Sequence, residues 1–371
     1  MKEIGLYIHI PYCKRKCFYC DFISFSGKEG TIKRYVEAIK KDISACKYTG
    51  FNIGTIYIGG GTPSFIDSQY ILEIIAKVRE KFIVAQNAEI TIEVNPGTVI
   101  KEKLIDYKKA GINRLSIGLQ STDNDTLKQI GRIHSYEDFI ETYDMAREIG
   151  FDNINVDFMI ALPGEDEWSV AIQISEIINL KPEHISCYSL ILEDGTRLKE
   201  MVDSGEVELP TDEEERKMYW KMKELLEENG YEHYEISNFS RPGYRSRHNM
   251  DCWSQKEYLG FGTAAHSYFG GRRFSNKKTI EEYIENYSEK EIEEDQTEED
   301  MKKEYMMLGL RKIEGVSISE FEQKFQINPL FYFRFEISKL VDEDLIEIDL
   351  DNIKLTKKGI DLANLVWEEF V

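Results

Sequence analysis

Six short runs rich in Ile and Val, five of them followed by a stretch of helical periodicity, fill the first half of this chain. The runs are residues 5–10, 55–58, 89–94, 114–119, 155–160 and 184–192, each flanked by Gly, Pro or Asn. Between them, residues 32–46, 69–82, 101–110, 136–149 and 168–179 carry apolar side chains at helical spacing. A strand that returns parallel to its predecessor needs a connection long enough for a helix. The alternation therefore predicts a parallel sheet with right-handed crossovers. Chemically distinctive residues recur after successive strands, which favours a partial (β/α)6 TIM-like barrel over a nucleotide-binding sheet. Ligands of such folds gather at the C-terminal ends of the strands.

The pattern changes after residue 200. Residues 211–229 read as a charged helix, with Thr211-Asp-Glu-Glu214 close to a capping box. An aromatic and Gly-rich stretch follows over 231–274, and the acidic stretch 289–300 reads as a solvated linker. The remaining residues combine helical patterns with a strand pair at 345–350 and 352–355, the outline of a small winged-helix-like α+β domain. The expected division is a barrel over 1–200, a connecting region over 201–295 and the small domain over 296–371. The 371 residues carry a net charge of -21, against a nucleic-acid partner, because phosphate contacts need clustered Lys and Arg. No apolar run reaches bilayer length. The N-terminal residues read as a first strand and not as a signal peptide, so a cytoplasmic location is expected.

Three of the six cysteines, Cys13, Cys17 and Cys20, lie on one loop with the spacing Cys-x3-Cys-x2-Cys. Three thiolates from one loop suit a cubane iron-sulfur cluster and leave its fourth iron open to a ligand. The competing reading is zinc, with His9 as fourth ligand. Cys46 and Cys187 fall in helix and strand patterns and read as buried apolar side chains. The second strand runs into Gly59-Gly-Gly-Thr62-Pro63-Ser64, where consecutive glycines let backbone N–H groups approach a ligand. The third strand ends in Glu93-Val-Asn95-Pro96, the fourth in Gln120, the fifth carries Asp157, and Arg132 follows in Gly131-Arg-Ile-His134. Each is compatible with an ordinary surface role or a tight turn. Together they could hold an amino-acid moiety, a ribose and a carboxylate.

These residues resemble the radical S-adenosylmethionine superfamily. The resemblance is closest to the branch that contains oxygen-independent coproporphyrinogen III dehydrogenase and a related heme chaperone. It covers nearly the whole chain, including Tyr7-Ile-His-Ile-Pro11, 59–64, 93–96, 111–121 and 157–164. It implies a [4Fe-4S] cluster on Cys13, Cys17 and Cys20, with S-adenosylmethionine on the open iron and Tyr7, Gly60 and Glu93 lining its site. Gly61, Thr62, Gln120, Arg132 and Asp157 match positions that hold a second S-adenosylmethionine in the dehydrogenase. That enzyme has a further cysteine where this chain has Phe22. The chaperone branch carries His-Asn-x-x-Tyr-Trp, and this chain has His248-Asn249-Met250-Asp251-Cys252-Trp253, with cysteine in place of tyrosine. The implied function is a heme chaperone that delivers heme to apo-hemoproteins such as respiratory enzymes, in a chain able to form a homodimer. Radical decarboxylation of coproporphyrinogen III is the alternative, which leaves open whether the protein is an enzyme. His248 is then the expected heme ligand, with Cys252 as a competitor, Arg245 and Arg247 available to the propionates, and Trp253 to the porphyrin face.

Overall fold

The computed structural model describes residues 2–371. Six parallel strands form its centre: β1 (Lys2–Ile10), β2 (Phe51–Gly60), β3 (Val84–Val94), β4 (Arg114–Gln120), β5 (Ile154–Ile160) and β6 (His184–Ser189). Helices α1 (Ile32–Ala45), α2 (Ser68–Lys81), α3 (Lys101–Lys109), α4 (Asn124–Gln129), α5 (Tyr136–Ile149) and α6 (Glu167–Leu180) connect them. Every strand and helix read from the first half is present. Strands β1 to β3 begin earlier than their Ile and Val runs, because polar residues such as Glu3 and Asn52 pair there by backbone alone. Helix ends are fixed by side chains: Ser135 with Asp138 and Asp166 with Ser169 form reciprocal capping boxes on α5 and α6.

The two faces of this sheet differ in chemistry. Leu6, Ile8, Ile58, Ile90, Ile92, Leu115, Ile117, Val156 and Ile185 pack with Ile39, Ile43, Ile74 and Ile174 of the helices in one apolar core. The alternate residues Tyr7, His9, Thr55, Tyr57, Glu89, Glu93, Arg114, Ser116, Asn155, Asp157, His184 and Ser186 share the opposite face. A parallel sheet covered on both sides reads as continuous apolar runs. Here period-two alternation leaves the inner face polar, and this face carries the candidate site.

Residues 201–295, expected as a connecting region, extend this sheet at both edges. Beyond α7 (Arg197–Asp203) and α8 (Asp212–Glu228), with its Thr211–Glu214 capping box, come β7 (Glu232–Glu235) and β8 (Asn238–Ser240), where β8 pairs antiparallel with β6. The chain then passes through α9 (Arg247–Trp253) to the other edge. There β9 (Tyr258–Phe261) runs parallel to β1, followed by β10 (His266–Phe269), β11 (Arg272–Asn276) and β12 (Lys290–Asp295). Among the described residues the result is a 12-stranded sheet. The acidic stretch that reads as a linker is thus partly strand: Arg272 pairs with Glu293 and Asp295, so cross-strand charge and not apolar content selects the pairing.

The C-terminal residues form a second core around Met306, Leu310, Phe321, Phe333, Leu340, Ile353 and Val366. Helices there pack on a three-stranded antiparallel sheet of β13 (Val316–Ser317), β14 (Ile346–Asp349) and β15 (Asn352–Leu355). Among the described residues, no helix is long and apolar enough to cross a membrane.

Candidate functional site

The cysteine loop leaves the C-terminal end of β1 and is closed at its base by backbone bonds from Cys13 N to Phe25 O (2.9 Å) and from Phe25 N to Pro11 O (2.7 Å). The glycine strap after β2 is stitched to the same base: Gly61 N donates to Ile10 O (2.9 Å) and Thr62 N to Tyr12 O (2.8 Å). A Cβ on Gly61 would lie 3.0 Å from Cys13 Sγ and 2.9 Å from Tyr12 O, so only glycine lets the strap lie this close. Cys13, Cys17 and Cys20 line a cavity of about 260 Å³ together with Gly60, Gly61, Thr62, Glu93, Gln120, Arg132 and Asp157. Residues from five strand ends thus converge on the thiols. Thr62 Oγ1 donates to Cys13 Sγ (3.6 Å) and Arg132 Nη1 to Cys17 Sγ (3.4 Å).

The zinc reading fails. Both ring nitrogens of His9 are committed, Nδ1 with the Tyr7 hydroxyl and Nε2 with Ile23 O, each at 2.8 Å. Among the described residues no three His, Cys, Asp or Glu side chains converge tightly enough to hold one metal ion. A cubane spreads its ligands over separate irons and does not require such convergence.

The cavity walls are hydrogen-bonded in depth. Glu93 Oε1 accepts from the Tyr57 hydroxyl (2.9 Å) and Oε2 from Gly60 N (3.0 Å). Burial first, and the Asp157 carboxylate second, push the Glu93 carboxyl up to about 7. Asp157 is raised by burial, and accepts from Ser116 Oγ (3.0 Å) and Asn155 Nδ2 (2.7 Å). Gln120 sits at φ 70° at the end of β4, and its buried Oε1 has no partner among the described residues. Arg132 Nε is likewise buried without one. Unpaired buried polar atoms at a cavity are where a polar ligand recovers lost hydrogen bonds.

A second cavity, of about 420 Å³, adjoins the first and shares Phe22, Gly60 and Glu93 with it. Tyr7 and His248 line this one, with His9, Ile23, Cys252, Tyr258, Ala264 and His266. His248 is 7% exposed, stacks on Tyr57 (5.3 Å between centroids), and shares a 2.8 Å hydrogen bond between its Nδ1 and Thr55 Oγ1. Its backbone N and that of Arg247 both donate to the Glu89 carboxylate at 3.0 Å, which anchors the start of α9 inside the barrel. Burial pushes the Cys252 thiol up to about 12. The expected porphyrin contacts do not gather here. Arg247 is held by Asn87 O (2.6 Å) and Glu3, Arg245 by Glu232 and Glu314, and Trp253 lies under the Arg311 guanidinium at 4.4 Å. Arg247 and Trp253 turn away because α9 places successive side chains about 100° apart and only one face meets the cavity, while Arg245 precedes the helix and is held by its two carboxylates.

Several wall residues lie outside the candidate set named from the motifs. Tyr57 and Ser116 lie on the inward row of strands already identified, so period-two counting from Gly59 and Gly118 finds them. Asn95 lies in a quoted motif and bonds Thr62 Oγ1 (2.8 Å) through Nδ2. Tyr258 and Ala264 carry no local signal, because only the pairing of β9 with β1 brings them in.

The Radical SAM superfamily model matches residues 7–172, and the HemN C-terminal domain model matches 296–362. The heme chaperone HemW of Lactococcus lactis is 34% identical over 372 residues, covering 100% of this chain and 98% of that protein. The heme chaperone HemW of Bacillus subtilis is 36% identical over 373 residues, covering 98% of each. The chain belongs to the HemW family of radical SAM proteins. Coproporphyrinogen III oxidase (HemN) from Escherichia coli shares the fold, with a TM-score of 0.86 at 22% identity over 100% of this chain and 90% of that one. As a radical SAM protein, this HemW-family chain uses a [4Fe-4S] cluster and S-adenosylmethionine. The cavity suits both, with three thiols on one loop, a strap that only glycine permits, and unpaired polar atoms in the wall.

One prediction arises from Glu93. Its folded-state pKa of about 7 lies above the ordinary 4.5. A raised carboxyl contributes stability that is complete below the unfolded value and is lost as pH rises through the folded one. Glu93→Gln removes this dependence, and referring the parent to the variant cancels the contribution of the buried histidines. Without added cofactor, the parent should lose on the order of 3 kcal/mol relative to Glu93→Gln between about pH 5 and about pH 8. Denaturant titrations of both proteins across that range measure it. A pH-independent difference would show that Glu93 is ionised throughout.

Proposed function

We propose that this chain binds heme and delivers it to apo-hemoproteins, respiratory enzymes among them, in the cytoplasm. The observation that carries this reading is relatedness to HemW heme chaperones along the full length of the chain. In this reading Cys13, Cys17 and Cys20 hold the [4Fe-4S] cluster, and S-adenosylmethionine meets the open iron beside Tyr7, Gly60 and Glu93. The cluster supplies one-electron chemistry when it is present. Gly61, Thr62, Gln120, Arg132 and Asp157 form the wall available to a second cofactor molecule. His248 offers the imidazole for heme iron, approached through the larger cavity. Phe22, 66% exposed at the junction of the two cavities, supports the chaperone reading, because an apolar side chain stands where the dehydrogenase has a cysteine.

Coproporphyrinogen III decarboxylation remains the second reading. It is favoured by the meeting of two cavities at Gly60 and Glu93, which gives room for two cofactor molecules. Heme titration of the iron-loaded protein, followed by absorbance, separates the two when run beside a coproporphyrinogen III assay. Saturable heme uptake without decarboxylation is expected. His248→Ala should weaken heme about tenfold or more, the effect of losing an axial ligand. Decarboxylation at a rate that sustains porphyrin synthesis would promote the second reading. Undiminished heme affinity in a His248→Ala, Cys252→Ala double variant would move the ligand elsewhere.

A further inference from the structure

We propose that Arg132 is a positioning residue for the iron-sulfur cluster: its guanidinium donates to the sulfur of Cys17 and draws the cluster's reduction potential upward. This rests on the placement of the cluster on Cys13, Cys17 and Cys20. Two backbone features press the segment that carries Arg132 against the cysteine loop. Phe18 N donates to Ile130 O (3.0 Å). Gly131, at φ +79°, leaves space for the Phe18 ring, which a Cβ there would meet at 2.6 Å. From that segment Arg132 Nη2 donates to both Asn95 Oδ1 and Gly118 O, each at 2.7 Å, while Nη1 donates to Cys17 Sγ at 3.4 Å.

This limits Arg132 to single hydrogen bonds in the role its position in the family pattern implies. A guanidinium clamps a carboxylate through two parallel N–H groups, either end-on from Nη1 and Nη2 or side-on from Nε and Nη2. Both edges include Nη2, and both Nη2 hydrogens are used. What remains is a fixed positive charge with one Nη1 hydrogen on Cys17 Sγ, and an Nε–H that can meet a ligand only singly. An N–H on a ligating sulfur stabilises the cluster state with the extra electron, and a cation that water screens little adds to this. When the [4Fe-4S]2+ cluster takes one electron from a reduced mediator to become [4Fe-4S]+, the added charge develops on sulfurs that include Cys17. Arg132 makes that uptake easier.

The test is potentiometric titration of the anaerobically reconstituted full chain, with the reduced cluster counted by EPR, in the parent, Arg132→Gln and Arg132→Lys. Iron per chain and S-adenosylmethionine affinity are measured in parallel. The midpoint should fall to a more negative value in Arg132→Gln and less far in Arg132→Lys, which keeps charge but loses the fork. Cofactor affinity should change by less than about tenfold. An unmoved midpoint in variants with full iron overturns the proposal, as does a larger affinity loss without a shift. If Arg132→Gln does not retain iron, Asn95→Ala decides: it releases the guanidinium from one anchor, a negative shift is expected, and an unchanged midpoint overturns the proposal. A parent chain that takes up no iron overturns the cluster placement itself, which is a separate failure.

Discussion

Serine at any one of Cys13, Cys17 or Cys20 is expected to reduce iron from about four per chain, the content of a cubane, to near zero. Each thiolate is one of three protein ligands, and a serine oxygen is too basic and too hard to replace it. The protein around the site should survive the change. The loop is closed by the Cys13–Phe25 and Phe25–Pro11 backbone bonds, and the strap is held by Ile10 and Tyr12 carbonyls, none of which involves a thiol. Far-ultraviolet dichroism of the serine variants should therefore match the parent while the brown colour is lost. Cys46→Ser and Cys187→Ser serve as controls and should keep their iron. Cys187 lies fully buried in the core, so its variant should lose ~1–2 kcal/mol of stability for a hydroxyl placed among apolar groups. Iron and sulfide analysis of all five variants is the measurement. Retention of the cluster after all three loop cysteines are replaced would remove the basis of the site.

Gly60→Val should abolish tight S-adenosylmethionine binding and destabilise the fold by about 3 kcal/mol. Gly60 has φ +115°, a conformation that costs any L side chain ~1–3 kcal/mol. Its Cβ would also fall within 2.5 Å of His9 Nδ1. A free imidazole could swing aside, but this ring is tethered at both nitrogens, to Tyr7 and to Ile23 O. Relief must come from the strap, and the strap carries the N–H that Glu93 accepts. Because the conflict begins at the Cβ, Gly60→Ala should already show most of the loss. Calorimetric titration with S-adenosylmethionine and denaturant unfolding of both variants check this. An alanine variant with parental stability and affinity would mean that the strap does not adopt this conformation.

The first-half elements were legible because their signals are local. A strand of Ile and Val bounded by Gly or Pro, and a helix closed by Ser135 and Asp138, each declare themselves within about a dozen residues. The second half was less legible for a physical reason. β10, β11 and β12 are short, and β12 is largely charged, so they lack the apolar period of a half-buried strand. Their pairing depends on partners distant in sequence, such as Arg272 with Asp295 and the Asn276 side chain with the Gly260 and Gly262 carbonyls.

The sequence by itself determined which chemistry is available: three thiols on one loop, a strap of consecutive glycines, and carboxylates and an arginine at successive strand ends. These follow from composition and spacing, and a backbone of that topology brings strand ends together whatever else it does. Only the tertiary structure decided how that chemistry is shared out. It committed both nitrogens of His9 and so removed the zinc reading. It gave Arg132 to Asn95, Gly118 and Cys17, and turned Arg245, Arg247 and Trp253 away from the cavity that His248 lines. A side chain's partner is set by its direction and by which distant backbone packs beside it, and neither is encoded in the spacing of residues along the chain.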